Sequence, residues 1–264
     1  TVRDVAILGE HAEAGGIGLR RTMQAVIRRV IVRKCRTGIR LAERNRNVVL
    51  SDSHLYDNAE FGLFFDDCNL HQIIVHGNHI SYNKKAGIKS FKGDVHNLQI
   101  TGNDIEYNNY PGVDAAPNGE PTGAEIWFEV PEGRVSEVTI AGNTIQATIQ
   151  PGGANIRIHG VTESPPLGAV LFAITGNVIG SQSRGIELRD AQRVAITGNT
   201  IYGNADLSIL AVRCSGVSVG PNTFKWQGRE TDPPQDGLRF EDCDGSSVTG
   251  VVAAPQPLII DNGD

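Results

Sequence analysis

The chain has one methionine, two tryptophans and only 6% aromatic residues. A core of that make-up cannot rest on large, pliable side chains. It calls for small aliphatic units between many tight turns, and the 31 glycines suit such turns. Four cysteines, Cys35, Cys68, Cys214 and Cys243, are too few and too scattered for a disulfide scaffold, and no Cys-x-x-Cys pair points to zinc or redox chemistry. They are expected as buried thiols, with Cys214 and Cys243 at stacking positions. No apolar run approaches the ~20 residues that cross a bilayer, so membrane insertion is not expected. No charged, apolar, cleavable leader stands at the start; the chain is read as either mature or cut from a longer one.

What is present is sufficient for a substantial core: 264 residues, 39% of them hydrophobic. The net charge of −6 hides an asymmetry, because residues 1–50 hold 11 Lys/Arg against 4 Asp/Glu, or +7, which leaves −13 for the rest. A solvated basic face is the plainer reading and an anionic partner the other.

The sequence then repeats itself. Val-Val-Leu-Ser-Asp-Ser53 is followed by Ile-Ile-Val-His-Gly-Asn78, Leu-Gln-Ile-Thr-Gly-Asn103, Val-Thr-Ile-Ala-Gly-Asn143, Phe-Ala-Ile-Thr-Gly-Asn177, Val-Ala-Ile-Thr-Gly-Asn199 and Val-Ser-Val-Gly-Pro-Asn222. Successive copies stand 25, 25, 40, 34, 22 and 23 residues apart, a basic period with two long insertions. The alternating phrase predicts a short strand, Gly-Asn a turn, and the isoleucine two residues on (Ile80, Ile105, Ile145, Ile179, Ile201) a second inward strand. Gly-aliphatic pairs such as Gly38-Ile39, Gly87-Ile88 and Gly185-Ile186 open a third. Gly112-Val113 is read as another of these pairs.

Three strands per unit, with no room for a helix between them, predict an all-β chain wound as a right-handed parallel β-helix of about nine to ten coils, forming one domain over residues 1–264. Equivalent residues then lie ~4.8 Å apart in neighbouring coils, so the repeated Asn becomes a ladder that satisfies the turn. Leucine-rich repeats are the competing architecture. Asn and Gly break the rest of each unit, and Leu does not dominate the inward positions. The chain enters as a strand at its N-terminus, an apolar end expected to be covered by an upstream segment or by oligomerisation.

Through this "ITGN-x-I-x-x-N-x-x-x-GI" repeat, from about Val26 to Val252, the chain resembles the right-handed parallel β-helix proteins related to pectate lyases, polygalacturonases, alginate lyases and epimerases, and bacteriophage tailspikes. The resemblance implies a polysaccharide partner rather than nucleic acid, lying in a groove along one sheet, and an extracellular or secreted setting, bacterial or phage-borne. It implies a lyase, hydrolase or epimerase; the alternative is a non-catalytic glycan-binding or structural module of tailspike or adhesin type. No cofactor is required by the sequence, and calcium is the one allowed. The polygalacturonase residue set and the Asp-Pro-His-Asp signature of mannuronan epimerases are absent, so no catalytic role carries over residue by residue.

The sheet opened by the Gly-aliphatic pairs carries the most chemically loaded outward row, read as Arg40, Phe64, Lys89, Asp114, Asn155, Glu187, Leu210 and Arg239. Insertions holding Glu120, Glu125, Trp127 and Trp226 surround its middle, where loops tend to be functional. The candidate catalytic residues are Lys89, Asp114, Glu125, Arg157 and Glu187; Phe64, Trp127, His159 and Arg189 are the candidate substrate contacts. On a uronate chain Arg157 or Lys89 neutralises the carboxylate while a Lys or Arg base removes the adjacent ring proton. On a neutral glycan two of the carboxylates act as acid and base. No metal site is assigned: His54, His76 and His79 are read as surface residues of a turn with no carboxylate ladder joining them.

Overall fold

Each of the three repeated phrases becomes a strand, and the computed structural model winds them into a three-sided coil that recurs along the chain. It describes residues 1–11, 13–109, 123–161, 168–225, 236–250 and 258–261. Among these residues no helix occurs, and the strands pair in parallel. One turn shows the unit. Asp94–Thr101 forms the first side, Asp104–Glu106 the second and Ala124–Glu129 the third, and Arg134–Ala141 then returns to lie on Asp94–Thr101. Stacking is continuous from Val2–Leu8 to Leu258–Asp261.

The register is that of the sequence repeat. Ile39, Leu63, Ile88, Ile126, Ile156, Ile186, Ile209 and Leu238 stand one above another on the third side, each almost wholly buried. Ile80, Ile105, Ile145, Ile179 and Ile201 do the same on the second. Each such side chain contributes about 1.5–3 kcal/mol by leaving water. The rows fill the interior with branched aliphatic residues, which is why few aromatics are needed.

The turn between the first two sides explains the Gly-Asn step. Gly102, at φ 63°, adopts the left-handed conformation that glycine takes without a Cβ penalty. In the early copy Asp52 takes the same role at φ 51°. The following Asn is buried, and its amide joins a ladder: the backbone N–H and Nδ2 of Asn103 both donate to Oδ1 of Asn143, which donates in the same way to Asn177, then to Asn199 and Asn222. Nδ2 of Asn143 also satisfies the carbonyl of Ile100. A second ladder at the next corner links Asn58, Asn83 and Asn108.

One feature of the first side departs from plain alternation. Gln72, Asn97 and Glu137, in register, all have positive φ, so the strand bulges there. The bulge sends Val95 and Leu98 to the same inward face although they are three apart.

Many of the arginines in residues 1–50 pair with acids a coil away: Arg29 with Asp4, Arg21 with Glu43, Arg36 with Glu13 and Glu60, and Arg40 with Asp66. These are exposed cross-coil ion pairs, each worth little on its own; since Asp4, Glu13 and Glu43 belong to the same fifty residues, the pairs leave most of the local basic excess in place.

Candidate functional site

The outward row of the third side runs Arg40, Phe64, Lys89, Trp127, Arg157, Glu187, Leu210 and Arg239. The row two residues further along reads Ala42, Asp66, Phe91, Glu129, His159, Arg189, Val212 and Glu241. This corrects the row expected from sequence at two places. Trp127, not Asp114, stands between Lys89 and Arg157, because the strand of that coil is Ala124–Glu129. Asp114 itself, with Glu120 and Trp226, lies outside the described residues. Asn155 stands two positions earlier than expected, in the column of Gly62, Gly87 and Gly185.

That column explains Glu125 as well, which pairs in register with Gly87 and faces inward, fully buried. The next coil offers Asn108 no asparagine to continue its ladder. Oε2 of Glu125 takes that place, accepting from Asn108 N at 3.2 Å and Nδ2 at 2.5 Å. Burial pushes its pKa well above the ordinary carboxylate value, and the Asn108 bonds offset this only in part. Asn155 fills the corresponding gap further up, donating to the Gly180 carbonyl.

Two clusters occupy the middle of the outward rows. In one, Lys89 is 4% exposed and its Nζ lies 3.2 Å from the Trp127 ring centroid, while the Arg157 guanidinium lies 5.3 Å away from the same ring. Nζ also pairs with Oε2 of Glu129. Burial lowers the Lys89 pKa to about 8; Glu129 opposes the fall and Arg157 adds to it. Nε1 of Trp127 is buried and has no hydrogen-bond partner among the described residues.

In the other cluster a single buried carboxylate gathers four bases. Glu187 accepts from Arg157 Nε at 3.1 Å and Arg189 Nε at 2.9 Å, and His159 Nε2 and Arg184 Nη1 each stand 3.2 Å from it. Burial alone would raise its pKa, but the His159 hydrogen bond and the Arg157 and Arg184 charges bring it far below the ordinary value. Arg157 is committed further, donating to the carbonyls of Gly123 and Gly152. Burial lowers the His159 pKa, against the pull of Glu187. His159 and Arg189 keep side-chain exposures of 21% and 33%, whereas Arg157 and Glu187 have none.

Towards the N-terminal coils the same face opens into a cavity of about 400 Å³, lined by Gly18, Arg20, Arg40, Phe64 and Asp66 among others. It exists because Gly18, in register with Arg40, contributes no side chain to the outward row.

The histidines require a second correction. His54 and His79 stack at 5.4 Å as their equivalent positions imply, but His79 does have carboxylates beside it: its Nδ1 is 2.9 Å from Asp104 and its Nε2 is 3.7 Å from Glu106. A separate cluster of His71, Asp94 and His96 went unnoticed in the sequence because its members come from two coils, 23 and 25 residues apart. The cysteines are free thiols, and Cys214 N lies 3.4 Å from Cys243 Sγ in the adjacent coil.

A stacked, three-sided parallel coil with laddered asparagine corners and a polar face defines a β-helix protein. The chain belongs to the family described as "Right handed beta helix region", whose profile matches residues 5–145 and 97–251. No curated protein sequence matches it. Among solved structures it is similar to full-length tailspike protein 2 from Escherichia coli O157:H7 bacteriophage CAB120, at 9% identity and a TM-score of 0.44, over 87% of this chain and 38% of that one. It is also similar to the A-module of a mannuronan C-5 epimerase from Azotobacter vinelandii, at 18% identity and a TM-score of 0.41, over 89% of this chain and 63% of that one. An α-1,3-glucanase catalytic domain follows at 10% identity and a TM-score of 0.23, over 94% of this chain and 61% of that one. None of these scores reaches a level at which likeness carries chemistry, so the site rests on this chain's own residues.

Proposed function

We propose that the outward rows of the third side bind an acidic polysaccharide and that Lys89 removes a ring proton beside a uronate carboxylate. The observation that carries this is the Lys89 ammonium, buried against Trp127 with its pKa lowered to about 8. A base with that affinity for protons is matched to neutral or mildly alkaline conditions. Arg189 and His159 are the partly exposed groups suited to the substrate carboxylate, since Arg157 is held by Glu187 and two backbone carbonyls. Phe64 and Trp127 offer flat faces for sugar rings. In elimination, Lys89 takes the proton on the carbon bearing the carboxylate, the electron pair forms the ring double bond, and the bond to the leaving oxygen breaks, that oxygen taking a proton from water. In epimerisation the same abstraction is followed by protonation from the opposite face.

Hydrolysis by a carboxylate pair has less support. Glu125 faces the interior and Glu187 is saturated by cations, so neither is placed to act as an acid or base on a bound glycan. The second reading is a non-catalytic glycan-binding module, favoured by the pairing of Lys89 with Glu129. Either reading carries with it an extracellular or phage-borne setting.

A panel of acidic and neutral polysaccharides, followed for unsaturated-uronate absorbance, reducing ends and solvent deuterium, tests the assignment. Elimination yields both of the first two signals, hydrolysis only reducing ends, and epimerisation only deuterium at the ring carbon. Loss of the signal in Lys89→Ala on an otherwise unchanged fold is the expected result. Reducing ends alone, or full activity in Lys89→Ala, refutes proton abstraction by this residue; saturable binding with none of the three signals favours the binding module.

A further inference from the structure

His71, Asp94 and His96 converge on the outer surface of the first side, and each turns one ligand atom to the others, all within 4.8 Å. The arrangement follows from the coil register. His71 and His96 are partners in adjacent coils, with ring centroids 4.7 Å apart, and Asp94 lies two residues before His96 on the same strand, so both point outward. Nε2 of His96 contacts Asp94 Oδ1, and Nε2 of His71 stands 3.7 Å from Asp94 Oδ2.

The side chains behind these three hold them in place. Ser136, directly above His96 in the next coil, has its hydroxyl 2.8 Å from His96 Nδ1, which orients the ring with Nε2 towards the carboxylate. Asn69, directly below Asp94, donates Nδ2 to Asp94 Oδ2 at 2.8 Å and is itself tied to Arg46. Metal-binding imidazoles are commonly oriented in this way through their second nitrogen. The remaining nitrogen is unsatisfied: Nε2 of His71 is shielded from solvent and makes no hydrogen bond among the described residues.

We propose that His71 Nε2, His96 Nε2 and an Asp94 carboxylate oxygen form a site for a divalent transition-metal ion of the zinc class, with solvent completing its shell. Two imidazoles and one carboxylate are ligands of that class, whereas calcium and magnesium require sets of oxygens. Bonds of about 2.1 Å place tetrahedral ligand atoms about 3.4 Å apart, within the 4.8 Å over which these atoms already lie. Arg46 lies in register below His71 and Arg134 above Asp94, so the two imidazole nitrogens, rather than a surplus of negative charge, supply the affinity of the site. A bound ion would fasten adjacent coils next to the turn at Lys92 and Gly93, where the chain leaves the strand that carries Lys89.

Zinc titration of the full chain by calorimetry, with Co2+ as a spectroscopic probe, tests the site. One equivalent of zinc and visible ligand-field bands of Co2+ bound through nitrogen are expected. His96→Ala and Asp94→Asn each lower affinity at least tenfold, Ser136→Ala lowers it roughly tenfold, and His79→Ala leaves it unchanged. Circular dichroism confirms that each variant is folded. Asp94→Asn, which keeps the size of the side chain, gives the decisive result if His96→Ala fails to fold. Absence of Co2+ bands, or binding that survives both His96→Ala and Asp94→Asn, overturns the assignment; binding abolished by His79→Ala instead would move the ion to the His79, Asp104 and Glu106 cluster.

Discussion

The ammonium of Lys89 sits 3.2 Å from the ring centroid of Trp127, its partner in the next coil, and the same lysine pairs with Glu129. The pair joins a buried ammonium to an aromatic ring in one rigid register. If Lys89 is the base, activity rises with pH through a midpoint near its pKa of about 8, because only the neutral amine accepts a proton. Glu129 raises that pKa, so Glu129→Gln shifts the midpoint to lower pH. Rate–pH profiles of the two proteins on one substrate check both the midpoint and the direction of the shift.

Trp127→Ala tests the proposed sugar contact apart from the proposed base. It removes the ring that both Lys89 and Arg157 approach. Glycan affinity is expected to fall about 5- to 100-fold, the equivalent of about 1–3 kcal/mol for a large buried contact. Binding isotherms measured beside thermal unfolding distinguish this from a loss of fold.

The Glu187 cluster predicts an acid limit to stability. Its folded-state pKa is depressed below the ordinary 4.5, so its contribution is fully present above that value and is lost as pH falls below it towards the folded value. Glu187→Gln leaves Arg157 buried without its counter-charge and is expected to cost about 3–5 kcal/mol at neutral pH, while flattening the acid slope. Urea titrations between pH 3 and pH 7 read both effects.

Glu125 is the opposite case. Its folded-state pKa is raised, so the folded state holds its proton more tightly than the unfolded chain does, and stability declines as pH climbs above 4.5. Glu125→Gln keeps an acceptor for Asn108 and removes the charge that burial disfavours. The variant should be as stable as the parent in acid and more stable at neutral pH. Glu125→Ala, which leaves the Asn108 backbone N–H without its acceptor while Nδ2 keeps the Ile80 and Glu106 carbonyls, should cost about 1–3 kcal/mol.

Asn143→Ala tests the ladder. It takes away the acceptor of the Asn103 backbone N–H and one bond each from Asn103 Nδ2, which keeps the Val75 and Thr101 carbonyls, and from the carbonyl of Ile100. A loss of at least about 2 kcal/mol is expected, read as a lower denaturation midpoint with little change in the slope.

The winding was legible because stacking turns sequence period into vertical distance: Asn78, Asn103 and Asn143 had to meet, and they do. The outward row was legible where the Gly-aliphatic phrase is intact, as at Lys89 and Glu187. It was misread where another residue holds the glycine's place, because Glu125 and Asn155 reach inward to supply amide partners that the corner lacks, and nothing local in the sequence marks that exchange. The first-side bulge was hidden for a related reason. Gln72, Asn97 and Glu137 adopt positive φ without a glycine to announce it. Arg157, Glu187, His159 and Arg189 were legible as neighbours, but their closure with Arg184 around one buried carboxylate was not, because burial of the outward row depends on how neighbouring coils crowd it, which spacing alone does not encode.

The asparagine column donates in one sense along its length, each rung giving two protons to the rung on its C-terminal side. The solenoid therefore has a polarity that is independent of its side-chain charges. A turn spliced in at any point needs one amide facing the right way, whatever the length of its loops. Spacings of 22 and 40 residues coexist in one stack on that condition, which makes the loops replaceable parts and the corner amide the fixed one.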